Sequence, residues 1–303
     1  MQDRWRMVRC GWCRSLYLDP RPDAASLPAA YATYYTHQSA DENERRTGVV
    51  PGLINGYLNW RFRMSRQPAS RLGIWAFKLL PPLRKKLDVY GRHIPRLMCG
   101  RGTRLLDVGC GSGAFLLRAQ EMGIQASGCE PDPRAVEACR SQGLDVIQGD
   151  VFAPELDSEK FDIVTLNHVI EHVYDPLALL GRIHGRMTPG GILWVALPNP
   201  GALGLILFAQ GWKGLHPPFH LLIPSQRLLI SWLRETGFVD VRLVRRGCQS
   251  PGLWRESAQI AEREKLVRPR TLRVLVRILG DILSTVSTRW CEETILTARK
   301  SKG

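Results

Sequence analysis

No window of this 303-residue chain reaches the roughly 18 uninterrupted apolar residues of a membrane-spanning helix, which excludes a span of that kind. The opening run Met1-Gln-Asp-Arg-Trp-Arg6 holds no apolar stretch, so no secretory signal is read there and a cytoplasmic location is expected. Internal repeats and low-complexity tracts are lacking, which argues against a repeat architecture. Of eight cysteines only Cys10 and Cys13 have the spacing of metal ligands, and the second pair that a zinc ribbon needs is missing. The thiols are therefore expected to be reduced and mostly buried. Acid is missing from one long stretch. Between Arg45 and Leu87 there are ten basic residues and no Asp or Glu, with Trp60, Phe62, Trp75 and Phe77 interleaved.

What is there fits a globular protein with a full core. Apolar residues make up 44% and charged residues 23%, both ordinary values. Forty-two basic against 28 acidic side chains leave a net charge of +14. The basic stretch fits either the solvated face of helices or a surface for an anionic membrane or an acidic, lipid-linked substrate. No nucleic-acid motif accompanies it, so nucleic acid is not expected as a partner.

Three textures follow one another along the chain. Residues 1–100 are basic and aromatic with weak helical patterns, and read as a mainly helical cap. Residues 101–244 alternate apolar runs with helix-period runs. Residues 245–303 add a basic helical stretch and a last apolar run.

The middle texture is clearly punctuated. Strands are read at 104–108, 126–130, 144–148, 161–166, 192–197 and 238–244, with a final one at 294–299. Asp132-Pro133 and Asp175-Pro176 each open a helix with an N-cap acid and a proline at the first helical position. Gly123, Gly143 and Gly237 each close a helix at a left-handed position, followed by an apolar residue. Alternation at this spacing predicts a parallel, doubly wound sheet.

The chemistry sits after the first of these strands, in Asp107-Val-Gly109-Cys110-Gly111-Ser-Gly113. A glycine turn between strand and helix lets backbone approach a ligand closely. Glu130, at the end of the next strand, is placed to accept both ribose hydroxyls of a nucleoside. Loop and acid together indicate a nucleoside cofactor. They leave an NAD(P)-dependent oxidoreductase open, because Gly109, Gly111 and Ala114 also satisfy the dinucleotide pattern.

The neighbouring motifs resemble the class I S-adenosylmethionine-dependent methyltransferases. Leu105 to Gly113 is similar to that superfamily's first motif and Glu130 to its second-strand acid. Gly149-Asp150 is similar to the turn near the adenine, Phe161 to Leu166 with Asn167 to His172 to the fourth-strand motif, and Thr188 to Gly191 to the fifth. The nearest flavour is that of ubiquinone-biosynthesis O-methyltransferases and of methyltransferases associated with polysaccharides and natural products. The resemblance implies an α/β Rossmann-like fold, with a mostly parallel seven-stranded sheet and an antiparallel last strand, over residues 101–303. It implies S-adenosyl-L-methionine held by Asp107, Gly109, Cys110, Gly111, Gly113, Glu130, Pro131, Asp150, Val151, Asn167 and His168. The implied reaction moves a methyl group to a hydroxyl, rather than N or C, of a small molecule, glycan or lipid-linked acceptor. A non-catalytic cofactor-binding protein of the same fold is the other alternative. Relatives of this flavour carry a four-cysteine ribbon before the fold, of which only the half around Cys10 and Cys13 is present here, so zinc is not expected.

His168-Val-Ile-Glu171-His172 also matches a metallopeptidase pattern, but that pattern needs the interior of a long helix and here it follows a strand. No metal is expected. Were one present, His168, Glu171 and His172 are the residues that the resemblance would assign to it. For methyl transfer a base is needed only where the acceptor must lose a proton, and histidine suits that near neutral pH. His172 and His220 are the candidates. Finally, residues 270–286 put Leu272, Leu275, Val276, Leu279, Ile282, Leu283 and Val286 on one helical face, with Arg270, Arg273 and Arg277 on the other. Such a helix either packs its apolar face on the sheet or lays it in a membrane interface. Oligomeric state is not fixed by any of these features.

Overall fold

A computed structural model describes residues 5–23, 49–100, 102–246, 251–265 and 270–302 of the chain. Cys248 and the basic residues Arg45 and Arg46 lie outside the described residues, as does the side chain of Arg270.

The described residues form two sheets. The small one joins β1 (Arg6–Arg9) and β2 (Leu16–Asp19) as an antiparallel hairpin, and β2 pairs with the short β8 (Leu222–Ile223). Cys10 and Cys13 sit at the hairpin turn, where the Cys13 thiol donates to Ser15 Oγ at 3.3 Å.

The large sheet contains β3 (Arg104–Val108), β4 (Gln125–Glu130), β5 (Asp145–Gln148), β6 (Phe161–Asn167), β7 (Met187–Pro198), β9 (Phe238–Leu243) and β10 (Glu293–Lys300). Their spatial order is β5-β4-β3-β6-β7-β10-β9. β3 pairs in parallel with β4 and β6, and β4 with β5. The sheet is mostly parallel, with the last strand antiparallel, as the resemblance implied. The sequence expectation for β7 was a strand from Ile192 onward. The strand instead starts at Met187, because that side chain is buried and the Thr188 hydroxyl ties it to the Asp162 carboxylate of β6 at 2.9 Å.

Among the described residues the helices are α1 (Val49–Phe62), α2 (Leu72–Leu79), α3 (Pro81–Tyr90), α4 (Ala114–Glu121), α5 (Pro133–Ser141), α6 (Pro176–Arg186), α7 (Leu203–Phe208), α8 (Gln226–Glu235), α9 (Pro251–Arg263) and α10 (Arg270–Val286). Their ends follow local rules. Asp132 caps α5 by accepting from the Arg134 N–H, and Ser225 caps α8 by accepting from the Leu228 N–H. Gly123, Gly143 and Gly237 all have positive φ. After α4 the Ile124 N–H bonds back to the Ala119 carbonyl, the reach-back expected of such a stop.

The chain divides into two compact units. One comprises Tyr35–Asn167, Gly181–Trp194 and Ala298–Gly303. Its core gathers Tyr57, Phe62, Leu105, Leu116, Met122 and Ile163. The acid-free stretch contributes to this core rather than standing wholly in solvent, since Tyr57, Leu58 and Phe62 are buried. Two of its arginines find acids beyond its ends. Arg61 pairs with Asp88 at 3.2 Å and Arg66 with Glu121 at 2.7 Å.

The other unit comprises Met1–Tyr34, His168–Leu180 and Val195–Thr297. A separate cluster of Phe208, Trp212, Trp254 and Ala261 packs within it. Among the described residues no helix is long and apolar enough to cross a membrane.

Candidate functional site

In the first unit the loop after β3 is built on glycines. Gly109, Gly111 and Gly113 have φ of 67°, 53° and 73°, in the left-handed region that favours residues without a Cβ. They differ in surroundings. A Cβ on Gly113 would meet Leu144 Cδ1 at 2.4 Å, whereas one on Gly111 would meet nothing within 4 Å. Gly113 is thus a packing glycine, and Gly111 borders open space where a ligand can lie against bare backbone. The loop is pinned from below by N–H groups of Gly109 and Cys110 donating to the Cys129 carbonyl. Cys110, Cys129 and Cys139 form a buried thiol lining, and burial pushes all three thiols above their ordinary range.

Glu130 is 6% exposed and holds two backbone donors, the Gly111 N–H at 2.9 Å and the Asp132 N–H at 3.1 Å. Burial raises its pKa while these N–H groups act the other way. The Gly149 N–H donates to the Glu130 carbonyl, which brings the turn of Asp150 and Val151 to the same strand ends. Asp150 is exposed and caps its own turn through the Phe152 N–H, Val151 is fully buried, and Pro131 and Asn167 are exposed.

Asp107 is 1% exposed, and its environment was not foreseen. Arg92 Nη1 donates to Asp107 Oδ1 and, at 2.6 Å, to the Thr165 hydroxyl, which itself donates to the same carboxylate oxygen at 2.8 Å. Thr165 stands opposite Asp107 in the β3–β6 register. The guanidinium lies 3.6 Å from the Phe115 ring centroid. Asp107 Oδ2 has no partner among the described residues although it is buried. A buried carboxylate oxygen left unpaired is costly unless a donor completes it. The donor set suits the sulfonium nucleoside: one unsatisfied anionic oxygen for an ammonium, an acid for a diol, and open backbone at Gly111.

In the second unit the sequence-predicted histidines gather around Glu171, a fully buried carboxylate. His168 lies between two acids, with Nδ1 3.0 Å from Glu171 Oε1 and Nε2 3.0 Å from Glu293 Oε1. Arg246 holds the other Glu293 oxygen at 3.0 Å. Burial opposes the His168 charge, but the two carboxylates outweigh it and lift the imidazolium pKa to about 10. Burial likewise opposes the charges of Glu171 and Glu293, and their cationic neighbours bring both down to about 2. His168 is thus an internal counter-ion.

His172 and His220 behave differently. His172 Nδ1 lies 3.0 Å from the Phe219 carbonyl and His220 Nδ1 2.8 Å from the Gly214 carbonyl. Only an N–H can make those bonds, so Nε2 is the unprotonated nitrogen of each neutral ring. Burial lowers the His172 pKa, and lowers that of His220 to about 3. The rings meet edge to face with centroids 4.7 Å apart. Among the described residues the one group able to offer three ligand atoms to a metal is Glu171, His172 and His220, all within 4.8 Å of one another. It differs from the sequence-derived trio by taking His220 in place of His168, because His168 is held by its two carboxylates.

The His168 pair carries a pH signature. Its raised pKa contributes stability that is complete below 6.5 and is lost as pH rises toward about 10. The melting temperature of the wild type should therefore fall across that window. His168→Gln should flatten the fall and cost about 3 kcal/mol near pH 6, since it leaves a buried carboxylate uncompensated. Equal alkaline slopes in both proteins would assign the loss to other groups.

Comparison with known proteins shows the family. The family model for a methyltransferase domain matches residues 83–243. A ubiquinone biosynthesis O-methyltransferase of Rhodopseudomonas palustris is 32% identical over 149 residues, 48% of this chain and 53% of that protein. Its namesake in Xanthomonas campestris pv. campestris is 30% identical over 180 residues, 54% of this chain and 73% of that protein. The matched part thus spans about half the length of the first of these relatives. Among solved structures the cyclase SpnF superposes with a TM-score of 0.50 at 22% identity, covering 72% of this chain and 81% of its own, which supports the fold alone. With more than half its length inside the family model and the sheet order in place, the chain belongs to the class I, S-adenosylmethionine-dependent methyltransferase family.

Proposed function

We propose that this protein transfers a methyl group from S-adenosylmethionine to a hydroxyl of a small-molecule, glycan or lipid-linked acceptor. The observation that carries the reading is the orphaned, buried Asp107 Oδ2 at the end of β3, just before the open backbone of Gly111. When bound, the cofactor supplies a methyl group on a sulfonium, ready for displacement. Asp107 takes the cationic end of the methionine, with Arg92 and Thr165 fixing the carboxylate's orientation. Glu130 accepts from the ribose hydroxyls. Asp150, Val151 and Pro131 line the adenosine portion.

For the acceptor, His172 Nε2 is the base. It is neutral at physiological pH and its tautomer is fixed by the Phe219 carbonyl, so it can take a hydroxyl proton without first losing one of its own. His220 positions the His172 ring by edge contact, and Glu171 steadies the charge that His172 gains. Oxygen as the methyl acceptor rests on this base and on the similarity to the O-methyltransferases. Titration calorimetry tests the reading. Heat is expected with S-adenosylmethionine and with S-adenosylhomocysteine and none with NAD or NADP. No heat from folded protein with either nucleoside overturns it. A methyl-transfer screen over phenolic, glycan and lipid hydroxyls then identifies the acceptor.

A further inference from the structure

The helix α10 is turned the wrong way round for a helix that only packs on its own fold. Its large apolar residues face solvent: Leu275 is 63% exposed, Ile278 52%, Leu279 49%, Ile282 59% and Val286 62%. On a helical wheel these five fall within an arc of about 100°. The opposite face, which meets the protein, carries Val276, buried Gly280 and buried Ser284. Burying a Leu or Ile is worth about 1.5–3 kcal/mol, so a row of five left in water marks a surface meant to be covered.

On the flank of α10 that carries Val274, α9 and α10 border an open cavity of about 320 Å³ lined by Phe208, Trp254, Ala258 and Val274 together with Arg255, Arg273 and Arg277. Three guanidinium groups thus stand around an apolar hollow. Arg273 pairs with Glu262 through Nη1 at 2.8 Å, yet its Nε is buried with no partner among the described residues. The guanidinium groups of Arg255 and Arg277 form no hydrogen bond or ion pair among the described residues. Nearby Glu256 is engaged by Lys213 at 3.6 Å, so it does not neutralise them.

We infer that α10 and the arginine-lined cavity beside it form a docking surface for an anionic phospholipid membrane. The aliphatic row enters the acyl boundary, and the guanidinium groups, including the orphaned Arg273 N–H, take the lipid phosphate. Each half suits this occupant: apolar area gives insertion, and forked donors match phosphate oxygens. A second copy of the chain fits worse, because contact through the aliphatic row would cover that row and leave the three guanidinium groups without an anion. The inference is independent of methyl transfer and is read without cofactor.

Vesicle flotation of the full chain tests it. Binding is expected to phosphatidylcholine vesicles that contain phosphatidylglycerol, much weaker binding to phosphatidylcholine alone, and release by salt. The double variant Ile278→Asp with Ile282→Asp should lower the partition coefficient by about tenfold or more. Arg277→Glu should lower it about fivefold, on anionic vesicles only. All three positions are exposed, so S-adenosylhomocysteine affinity and the circular dichroism melt should stay at wild-type values. Three results overturn the inference. One is no flotation, or equal flotation on neutral and anionic vesicles. Another is wild-type binding by the α10 variants while Trp75→Asp, on the exposed face of α2, abolishes it. The third is a dimer on gel filtration that the double variant disperses, which would make the face an interface between copies.

Discussion

Glu130→Gln should weaken the binding of S-adenosylhomocysteine by roughly a hundredfold. The carboxylate accepts from the Gly111 and Asp132 N–H groups with different oxygens, at 2.9 Å and 3.1 Å. An amide keeps the shape but turns an NH2 toward one of those donors, so the loop loses one bond and gains a repulsion. It also replaces a charged acceptor for the ribose diol with a neutral one. Hydrogen bonds to a charged group contribute about 1.5–3 kcal/mol, and losing one while weakening another gives about two orders of magnitude in Kd. Calorimetry gives the affinity and a thermal melt gives the stability. A lower melting temperature with unchanged affinity would make Glu130 a loop strut and nothing more.

The second large effect concerns turnover. His172→Ala should reduce kcat by roughly a thousandfold, the size typical of a lost general base, with cofactor affinity within about twofold of wild type. Burial holds the His172 pKa below 6.5, so the acid limb of the wild-type rate profile should lie below that pH and vanish in the variant. His220→Ala, which removes the edge contact at 4.7 Å, should cost less in kcat and shift that limb rather than erase it. Should both variants lose cofactor binding together with turnover, the two rings are structural. Dialysis against a chelator should leave the wild type active. Loss of activity restored by zinc would instead recruit Glu171, His172 and His220 as a metal group.

Much of the cofactor unit was legible because its signals are local. Asp132 caps the helix it precedes, and the stops at Gly123 and Gly143 adopt positive φ. These features depend on a few adjacent residues, as does the glycine loop itself. What stayed hidden depends on distant partners. Arg92 sits beside Asp107 and Thr165, 15 and 73 residues away, and nothing near it in sequence marks it apart from other arginines of a basic region. The resemblance put His168 among the cofactor-binding residues, and nothing near it in sequence points to Glu293, 125 residues on, which with Glu171 holds its ring. The period of residues 270–286 was visible and its bounds matched the helix, yet periodicity gives a stripe without saying which way it faces. Only the packing of Gly280 and Ser284 against the protein decides that.

The strand order has a consequence for biogenesis. β10 is the last of the seven strands to be made, but its place is internal, flanked by β7 and β9. While the ribosome adds the stretch from Leu243 to Glu293, at about 5–20 residues per second, both neighbours wait for several seconds with an unpaired edge. Open edges of this kind attract strands from other chains. The nascent protein is thus most exposed to misassembly late in synthesis, and a premature stop anywhere before Glu293 would leave that gap permanently unfilled.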